Sequence, residues 1–343
     1  MSGGGSVRPL CSLRFEKVAH GVDKGDFSMT SKNHQKMIGR SAGMKKLCDL
    51  IGKAAQIQSN ILIYGESGTG KEVVASLIHA RSPRAEKSFV AINCAGVPSS
   101  LIENELFGHE KGAYTCAQTR VRGKIEHADT GTLFLDEISC LDVNLQAKLL
   151  RVIEEREVVR LGGNNVVPVD IRIIAATNVR LEDMVQKGTF RKDLWFRLNV
   201  VPITLPLLKD RHGDIPLLAG YFLEHFSRKM NRNIKGITPE GMASLETYSW
   251  PGNVRELMNL IERMVALGDD GEMIDENRLR TGFSELPDNI EIGDTASTES
   301  GDTDEGDAVQ MYQMKERTGL VRARKGFERW YVLKTLEECN WNQ

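Results

Sequence analysis

The fold of this chain is decided by Ile61-Leu62-Ile63-Tyr64-Gly65-Glu66-Ser67-Gly68-Thr69-Gly70-Lys71, a short apolar run that leads directly into a glycine-rich stretch and a lysine. The apolar run predicts a buried strand, and the glycine-rich stretch satisfies the G-x-x-x-x-G-K pattern of a phosphate-binding loop. Residues Val73 to His79 have helical spacing, so the pattern stands between a strand and a helix, as it requires. Backbone N–H groups and the positive end of the helix would then face phosphate, and Lys71 would add a point charge.

Short apolar, β-branched runs recur after this segment, separated by stretches long enough for crossover helices. The strand candidates are Asn60 to Tyr64, Phe89 to Asn93, Thr132 to Leu135, Ile171 to Ala175 and Val200 to Leu205. This alternation predicts a parallel sheet with helices on both faces. After Pro206 the candidates are helical, which predicts a smaller all-helical domain; they are Asp214 to Lys229, Pro239 to Tyr248 and Asn253 to Leu267.

Composition is ordinary for a soluble globular protein. The 343 residues are 41% hydrophobic and 27% charged with a formal net charge of -2, which argues against a surface that is basic throughout. No apolar run approaches the roughly 18 to 20 residues that span a bilayer, and the Gly- and Ser-rich start lacks the apolar region of a signal peptide. We therefore expect a cytoplasmic protein with no membrane partner. The cysteines form no C-x-x-C pair, so we expect free thiols.

Changes in composition divide the chain into predicted segments. These are a flexible leader at 1–35, an α/β domain at 36–206, a helical domain at 207–280, an acidic linker at 281–314 and a C-terminal segment at 315–343. The linker has no Lys or Arg and lacks the apolar surface that would offset chain entropy. The C-terminal segment is basic, and its Phe327, Trp330 and Leu333 have the spacing of one amphipathic helix.

Further motifs follow the phosphate-binding loop in a fixed order. They are Ala91-Ile92-Asn93-Cys94-Ala95, Gly112-Ala113-Tyr114-Thr115-Cys116-Ala117, Leu133-Phe134-Leu135-Asp136-Glu137, Ile173-Ile174-Ala175-Ala176-Thr177-Asn178, Phe190-Arg191-Lys192-Asp193-Leu194-Trp195-Phe196-Arg197-Leu198 and Trp250-Pro251-Gly252-Asn253-Val254-Arg255-Glu256-Leu257. The set closely resembles the motifs of bacterial enhancer-binding proteins, the AAA+ ATPases that remodel RNA polymerase carrying sigma-54. The resemblance implies a P-loop AAA+ domain with a three-layer parallel sheet, followed by a small α-helical lid.

The resemblance also implies a site for ATP and Mg²⁺. The nucleotide-binding residues would be Gly65, Glu66, Ser67, Gly68, Thr69, Gly70, Lys71, Glu72, Thr177, Asn178 and Arg255. By the same resemblance, Asp136 would hold Mg²⁺ and Glu137 would polarise the attacking water. Asn93 would restrain Glu137 until the sigma-contacting loops are engaged. Glu72 stands where Ser or Thr usually holds the metal, as it does in the GESGTGKE motif of this family.

The last two motifs imply a ring and a lid. Phe190 to Leu198 resembles FREDLYYRL, in which two arginines reach the nucleotide of the neighbouring subunit, so Arg191 and Arg197 would act in trans within a homo-oligomeric ring, usually a hexamer. Trp250 to Leu257 matches WPGNVREL, in which Arg255 would report phosphate occupancy. Asn253 can cap the helix that carries Arg255.

The segment Gly112 to Ala117 resembles the GAFTGA loop that contacts sigma-54. Tyr114 replaces Phe, which keeps a flat ring, and Cys116 replaces Gly. A side chain in place of Gly costs about 1 kcal/mol or more if the position is left-handed. Two interpretations stay open: the loop remodels sigma-54 polymerase, or the chain is a nucleotide-responsive regulatory or scaffolding protein that has lost this activity.

Residues Phe327 to Gln343 resemble the opening of a Fis-type helix-turn-helix, but the sequence stops before the recognition helix that would enter the major groove. The basic stretch predicts at most weak, salt-sensitive contacts with enhancer DNA. Only about 35 residues precede the ATPase motifs, so we expect no input domain in the chain itself, and three alternatives stay open: control by a separate protein, control by expression level, or no control.

Overall fold

The fold is given by a computed structural model that describes residues 27–30, 36–114 and 117–284. In chain order the strands are β1 Phe27–Thr30, β2 Lys36–Gly39, β3 Ile61–Tyr64, β4 Phe89–Asn93, β5 Gly108–His109, β6 Val121–Arg122, β7 Thr132–Asp136, β8 Glu157–Val159, β9 Val166–Pro168, β10 Arg172–Thr177, β11 Val201–Thr204, β12 Gly236–Ile237 and β13 Met273–Ile274. The α-helices are α1 Ala42–Gln56, α2 Lys71–Ala80, α3 Ser99–Phe107, α4 Lys124–His127, α5 Val143–Glu155, α6 Leu181–Gln186, α7 Lys192–Leu198, α8 Asp214–Met230, α9 Pro239–Thr247, α10 Asn253–Leu267 and α11 Glu276–Ser284. The predictions for Thr115, Cys116, most of the leader, the linker beyond Ser284 and the C-terminal segment lie outside the described residues.

One parallel sheet forms the centre of the α/β domain, in the spatial order β11, β3, β10, β7, β4. All of its strands were predicted from the sequence, with ends within two residues of those observed. Every residue of β10 is buried, as expected for a strand that is covered on both faces. Because the strands are parallel, the carboxyl ends of β3, β4, β7 and β10 lie at one edge of the sheet. The loops that follow these ends carry the predicted nucleotide-site residues.

Helices cover both faces of the sheet. Alternate residues of β7 point to opposite faces: Phe134 belongs to the core under α1 and α2, whereas Leu133 and Leu135 belong to the core under α3, α5 and α7. This is the predicted three-layer fold, which is confirmed.

Short antiparallel ribbons accompany the sheet, with β5 paired to β6 and β8 paired to β9. A further ribbon corrects a prediction. Residues 27–30 were assigned to the flexible leader, but they form β1, which pairs with β2 from Phe27 opposite Gly39 to Thr30 opposite Lys36. The polar composition of the leader did not indicate this strand, because an exposed strand edge can pair with any extended backbone.

The helical domain packs α8, α9, α10 and α11 around a core that contains Trp250. The Trp250 indole is buried and donates to the Leu245 carbonyl at 2.8 Å. Two details differ from the prediction: β12 and β13 form a short parallel pair within the domain, and α11 continues to Ser284. The longer helix is explained by Phe283, which stacks on Tyr248 with a centroid distance of 4.4 Å. Among the described helices, none is long and apolar enough to cross a membrane.

Candidate functional site

The phosphate-binding loop connects β3 to α2. Gly68 and Gly70 have φ angles of 76° and 100°, a left-handed backbone that residues with a Cβ rarely adopt. Within the loop, the Thr69 hydroxyl donates to the Glu66 carbonyl at 2.7 Å. Helix α2 begins at Lys71, so its first backbone N–H groups have no helical carbonyl to bind and are available to an anion.

The acidic pair at the end of β7 lies beside this loop. The buried Lys71 ammonium donates to the Gly65 carbonyl at 3.0 Å and to Glu137 Oε1 at 2.9 Å. The other oxygen of Glu137 accepts the backbone N–H of Asn178 at 3.3 Å. Glu137 itself has a φ of 52°, which is unfavourable for a residue other than glycine. Such backbone strain is concentrated at functional sites.

Asp136 lies directly before Glu137, and its carboxylate accepts the Glu137 N–H at 3.1 Å. Burial raises the pKa of Asp136 above its ordinary value; the Lys71 ammonium opposes the rise, and the negative charges of Glu137 and Glu72 add to it. A divalent cation would stabilise the ionised form and reverse this balance. A half-buried carboxylate beside a phosphate-binding loop has the chemistry of a Mg²⁺ ligand.

Strand β10 lies between β3 and β7, so its end stands between the loop and the acidic pair. The Thr177 carbonyl accepts the Gly65 N–H at 3.1 Å, which joins the ends of β10 and β3. The buried Thr177 hydroxyl lies 3.2 Å from the Ser139 hydroxyl, just beyond the acidic pair. Thr177 and Asn178 therefore contact both halves of the predicted site.

Asn93 ends β4 and is paired with Asp136 in the neighbouring strand. Its side-chain oxygen accepts the Ala95 N–H at 2.8 Å, so the amide caps the turn that follows the strand. The carboxylate of Glu137 is bound by Lys71 and Asn178 instead. Restraint of Glu137 by Asn93 stays a prediction.

The helical domain contacts the phosphate-binding loop directly. Arg255 Nη1 donates to the Ser67 hydroxyl at 3.0 Å, and the Arg255 backbone N–H lies 3.3 Å from the Gly68 carbonyl. A Cβ on Gly68 would lie only 2.1 Å from the Gly252 carbonyl oxygen. The glycine thus allows the loop and the start of α10 to approach each other.

Asn253 corrects a sequence-based expectation. It was predicted to cap α10, but Gly252 is the N-cap, and the Glu256 carboxylate accepts the Gly252 N–H at 2.7 Å. The Asn253 side chain instead accepts the Leu208 N–H at 2.9 Å and donates to the Ser67 carbonyl at 3.2 Å. Contact with the phosphate-binding loop takes the place of local capping.

Arg211 and Asp214 were missed by the sequence reasoning. Arg211 is almost fully buried and donates to the carbonyls of Thr69 and Pro206 at 3.1 and 2.8 Å. Burial lowers its pKa to about 10, and Asp214 opposes the shift. Asp214 is fully buried and accepts the Arg40 N–H at 2.6 Å, which ties α8 to the segment before α1. The only sequence signal was a pair of charges at a domain boundary, which is equally typical of a solvated helix start.

A small cavity lies beside the phosphate-binding loop. It measures about 60 Å³ and is mainly apolar. Its lining includes Ile38, Thr69, Leu205, Arg211, Leu218 and Val254, so it draws on both domains and on the segment before α1.

The two candidate arginines lie at the ends of α7 and pair with acids of their own chain. Arg191 binds Asp193 at 2.7 Å, and Arg197 binds Glu154 at 2.8 Å. Phe196, between them, is 58% exposed. It lines an open hollow of about 460 Å³ together with Arg191 and Asp193. The structure does not bring these arginines to the phosphate-binding loop of the same chain.

The 112–117 loop lies between β5 and β6, and its described part is tightly turned. The Gly112 N–H donates to the Ala117 carbonyl at 2.8 Å, which closes the base of the loop, and Gly112 has a φ of 85°. The Tyr114 ring packs edge-on against His109 at a centroid distance of 5.0 Å and is 46% exposed. Ala113 lies against Gly162, where a Cβ would come within 2.7 Å of the alanine methyl group.

A buried arginine holds the base of this loop. Arg160 donates to Glu110 Oε1 at 2.6 Å and to both oxygens of Glu126 at 2.6 and 2.7 Å. The bonds to Glu126 are the main cause of a raised pKa of the Arg160 guanidinium, burial opposes the rise, and the bond to Glu110 adds to it. Arg160 follows β8, far from the loop in sequence, and no motif indicated it.

Together, the fold and the site define the class of AAA+ P-loop NTPase domains with a helical lid. Residues 37–204 match the family described as Sigma-54 interaction domain, and residues 209–291 match the AAA+ ATPase lid domain. The chain belongs to the family of sigma-54 interaction domain proteins, as the motifs indicated.

Individual relatives agree with this assignment. The transcriptional regulatory protein ZraR of Escherichia coli K12 is 48% identical over 268 residues, which are 78% of this chain and 60% of the relative. The regulatory protein AtoC of the same strain is 53% identical over 231 residues, 67% of this chain and 50% of the relative. The crystal structure of NtrX from Brucella abortus in complex with ATP is 40% identical with a TM-score of 0.65, and covers 71% of this chain and 56% of that one. The chain spans about half the length of these relatives.

Proposed function

We propose that this chain hydrolyses ATP and uses the energy to remodel RNA polymerase carrying sigma-54, so that promoter DNA opens. The observation that carries the proposal is the meeting of Lys71, Asp136 and Glu137 at one edge of the sheet, with Lys71 and Glu137 2.9 Å apart. Membership of the sigma-54 interaction domain family and the ATP complex of the similar NtrX support it.

The phosphates of ATP would bind the N–H groups of the loop and of the first turn of α2, with Lys71 as the cation for the β- and γ-phosphates. The left-handed backbones of Gly68 and Gly70 are suited to a loop that turns its N–H groups inward.

Glu137 is the residue that would orient and polarise the attacking water. Binding of the γ-phosphate by Lys71 would release Glu137 from its ion pair and leave its carboxylate free for that task. Asp136 would hold Mg²⁺, which would neutralise negative charge on the phosphates. Asn93 would restrain Glu137, and Thr177, Asn178 and Arg255 would report whether the γ-phosphate is present.

The active form would be a ring, with a hexamer as the expected size. Arg191 and Arg197 are exposed at α7 and away from their own phosphate-binding loop, which suits residues that are supplied to a neighbouring subunit. A guanidinium supplied in trans is worth ~10³ to 10⁵ in rate in other NTPases. The exposed Phe196 ring, between the two arginines, offers an apolar contact for the neighbour.

The 112–117 loop would contact sigma-54. Its base is held by the Gly112 to Ala117 bond and by Arg160, so the exposed Tyr114 ring is presented from a fixed base. The work would take place in the cytoplasm, and any contact of this chain with enhancer DNA would come from the basic segment at 315–343.

The test measures ATP turnover and sigma-54-dependent open complexes with the same preparation. We expect both from the unchanged protein, and neither from the Lys71→Ala variant, because the phosphates lose their cation. Full turnover by Lys71→Ala would contradict the site assignment.

A second candidate function rests on Cys116, which stands where the family loop has glycine. In that case the chain is a nucleotide-responsive regulatory or scaffolding protein that no longer remodels sigma-54 polymerase. Turnover of ATP without open complexes, restored by Cys116→Gly, would favour this candidate. Strong open-complex formation by the unchanged protein would exclude it.

A further inference from the structure

Asn253 is the most buried of the polar residues by which the helical domain contacts the phosphate-binding loop. It is 1% exposed and has a left-handed φ of 51°, which asparagine tolerates better than most residues. Its side-chain oxygen accepts the Leu208 N–H at 2.9 Å. Its NH₂ group lies 3.2 Å from the Ser67 carbonyl and 3.4 Å from Glu66 Oε2. One amide thus joins Leu208, at the start of the helical domain, to two residues of the phosphate-binding loop.

The bond to the Ser67 carbonyl fixes the direction of a neighbouring donor. The carbonyl of Ser67 and the N–H of Gly68 belong to one planar trans peptide, so they point in opposite directions. With the carbonyl held toward Asn253, the Gly68 N–H points away from Asn253. Within the described residues, this N–H has no protein hydrogen-bond partner, which leaves it available to phosphate.

We propose that Asn253 is a positioning residue that sets the orientation of the Ser67–Gly68 peptide and thereby the affinity of the loop for the phosphates of ATP. This inference rests on the proposed ATP site. Asn253 itself does not touch the phosphates. It acts through the Ser67–Gly68 peptide, so the position of α10 affects how well the loop binds phosphate.

Asn253→Asp is a sharp perturbation because it preserves most of the site. Aspartate has the same shape, tolerates a positive φ, and still accepts the Leu208 N–H through one oxygen. The other oxygen replaces a donor with an acceptor, and now faces the Ser67 carbonyl and the Glu66 carboxylate. The contact with the loop changes from attraction to repulsion, whereas the contact with Leu208 remains.

The test measures the Kd of a fluorescent ATP analogue for the full chain. We expect Asn253→Asp to raise the Kd about tenfold, which corresponds to the loss of one to two buried hydrogen bonds. The matched control is Asn259→Asp, which makes the same change at an exposed site on the same helix and should alter the Kd less than twofold. In turnover, KM should rise with the Kd while kcat stays within about threefold, as expected when binding is lost equally from ground and transition states.

A second substitution separates positioning from net charge and from folding. In Asn253→Asp with Glu66→Gln, the glutamine NH₂ can donate to the aspartate, so at least threefold of the lost affinity should return. Asn253→Asp with Glu66→Ala has the same net charge but no donor, and should stay weak. A folding defect caused by Asn253→Asp would not distinguish the double variant with Glu66→Gln from the one with Glu66→Ala.

Each other outcome overturns the inference. An unchanged Kd for Asn253→Asp would assign Asn253 to the fold alone, and equal loss in Asn259→Asp would assign the effect to charge. Equal recovery with Glu66→Gln and Glu66→Ala would remove the role of the hydrogen bond. If the unchanged protein binds no ATP analogue, the proposed function fails first and this inference fails with it.

Discussion

Arg160→Met should separate ATP hydrolysis from action on the polymerase. Arg160 makes three short hydrogen bonds, one to Glu110 and two to Glu126. The Arg160 side chain is 4% exposed, that of Glu126 is 7% exposed and that of Glu110 is 25% exposed. Methionine is a flexible apolar side chain that can fill much of the space of the arginine stem, so the main loss is of charge and hydrogen bonds.

The magnitude follows from the burial of the two acids. Glu110 can turn toward solvent and keeps Arg120 as a partner at 3.7 Å. The Glu126 side chain is buried and cannot turn toward solvent in this way. Removing one partner of a buried ion pair costs about 3 to 5 kcal/mol. At ~2 to 4 °C per kcal/mol for a domain of this size, the melting temperature should fall by roughly 6 to 20 °C. Removing the orphaned charge in Arg160→Met with Glu126→Gln should restore most of this loss.

Function is read out by two assays on each variant. ATP turnover by Arg160→Met should stay within about threefold of the unchanged protein at a temperature where both are folded, because Arg160 contacts no residue of the nucleotide site. Open-complex formation should be lost, because Glu110 and Glu126 no longer share a partner at the base of the 112–117 loop. The control is Arg151→Met, which removes an exposed arginine paired with Glu155 and should leave both activities and the melting temperature unchanged.

The reasoning would be refuted if Arg160→Met melted within about 2 °C of the unchanged protein, since the buried pair would then carry no stability. It would also be refuted if this variant opened promoters normally, since the loop would then not depend on Arg160.

Three further predictions follow from the site. Gly68→Ala places a methyl group 2.1 Å from the Gly252 carbonyl oxygen at a φ of 76°, so it should raise KM for ATP at least tenfold. The control is Gly188→Ala, because Gly188 also has a left-handed backbone but lies in open space. This control should change only the melting temperature. Asp136→Asn should abolish turnover yet raise the melting temperature at neutral pH. Because the pKa of Asp136 is raised in the folded protein, its ionised form destabilises the folded state above that pKa, and asparagine removes this charge. A melting temperature that falls would contradict this prediction. Inactive Lys71→Ala and Arg191→Ala proteins should regain turnover when mixed, because the intact loop of one can face the intact arginine of the other; a mixture as inactive as its parts would argue against action in trans.

The parts of the site that were predicted from sequence are those in which one continuous segment performs one chemical task. A strand, glycines and Lys71 must be contiguous to cradle phosphate, and a strand that ends in Asp136 and Glu137 delivers two carboxylates to one edge of the sheet. Such segments leave a readable pattern. The convergence of the two segments then follows from the parallel sheet, since β10 separates β3 from β7 by a single strand.

The contacts that were missed join residues that are distant in sequence. Asn253 meets Ser67 across 186 positions, and Arg160 meets Glu126 across 34. Asn253 was assigned to a local cap because asparagine at the start of a helix commonly serves that purpose. Its left-handed backbone and the close approach at Gly68 direct the side chain to the loop instead. The backbone conformation of Asn253 and the close approach at Gly68 both depend on the tertiary structure, so the sequence does not indicate them.

Two helices lead from the acidic edge of the sheet to the 112–117 loop. From Asn93, at the end of β4, the chain passes through α3 to β5, where His109 hydrogen-bonds to Asn104 of that helix at 2.7 Å. From Glu137, beyond the end of β7, the chain passes through α5 to β8 and Arg160.

Arg160 and Glu110 join the far ends of these two paths. A change in the spacing of β4 and β7 would therefore be transmitted to the base of the 112–117 loop through both α3 and α5. A contiguous path shows only that such coupling is geometrically available, and its strength has to be measured by breaking the path. Arg160→Met breaks the join while leaving both helices and the nucleotide residues intact. If coupling runs through this join, the variant loses promoter opening and keeps hydrolysis; if either helix alone is sufficient, it keeps both.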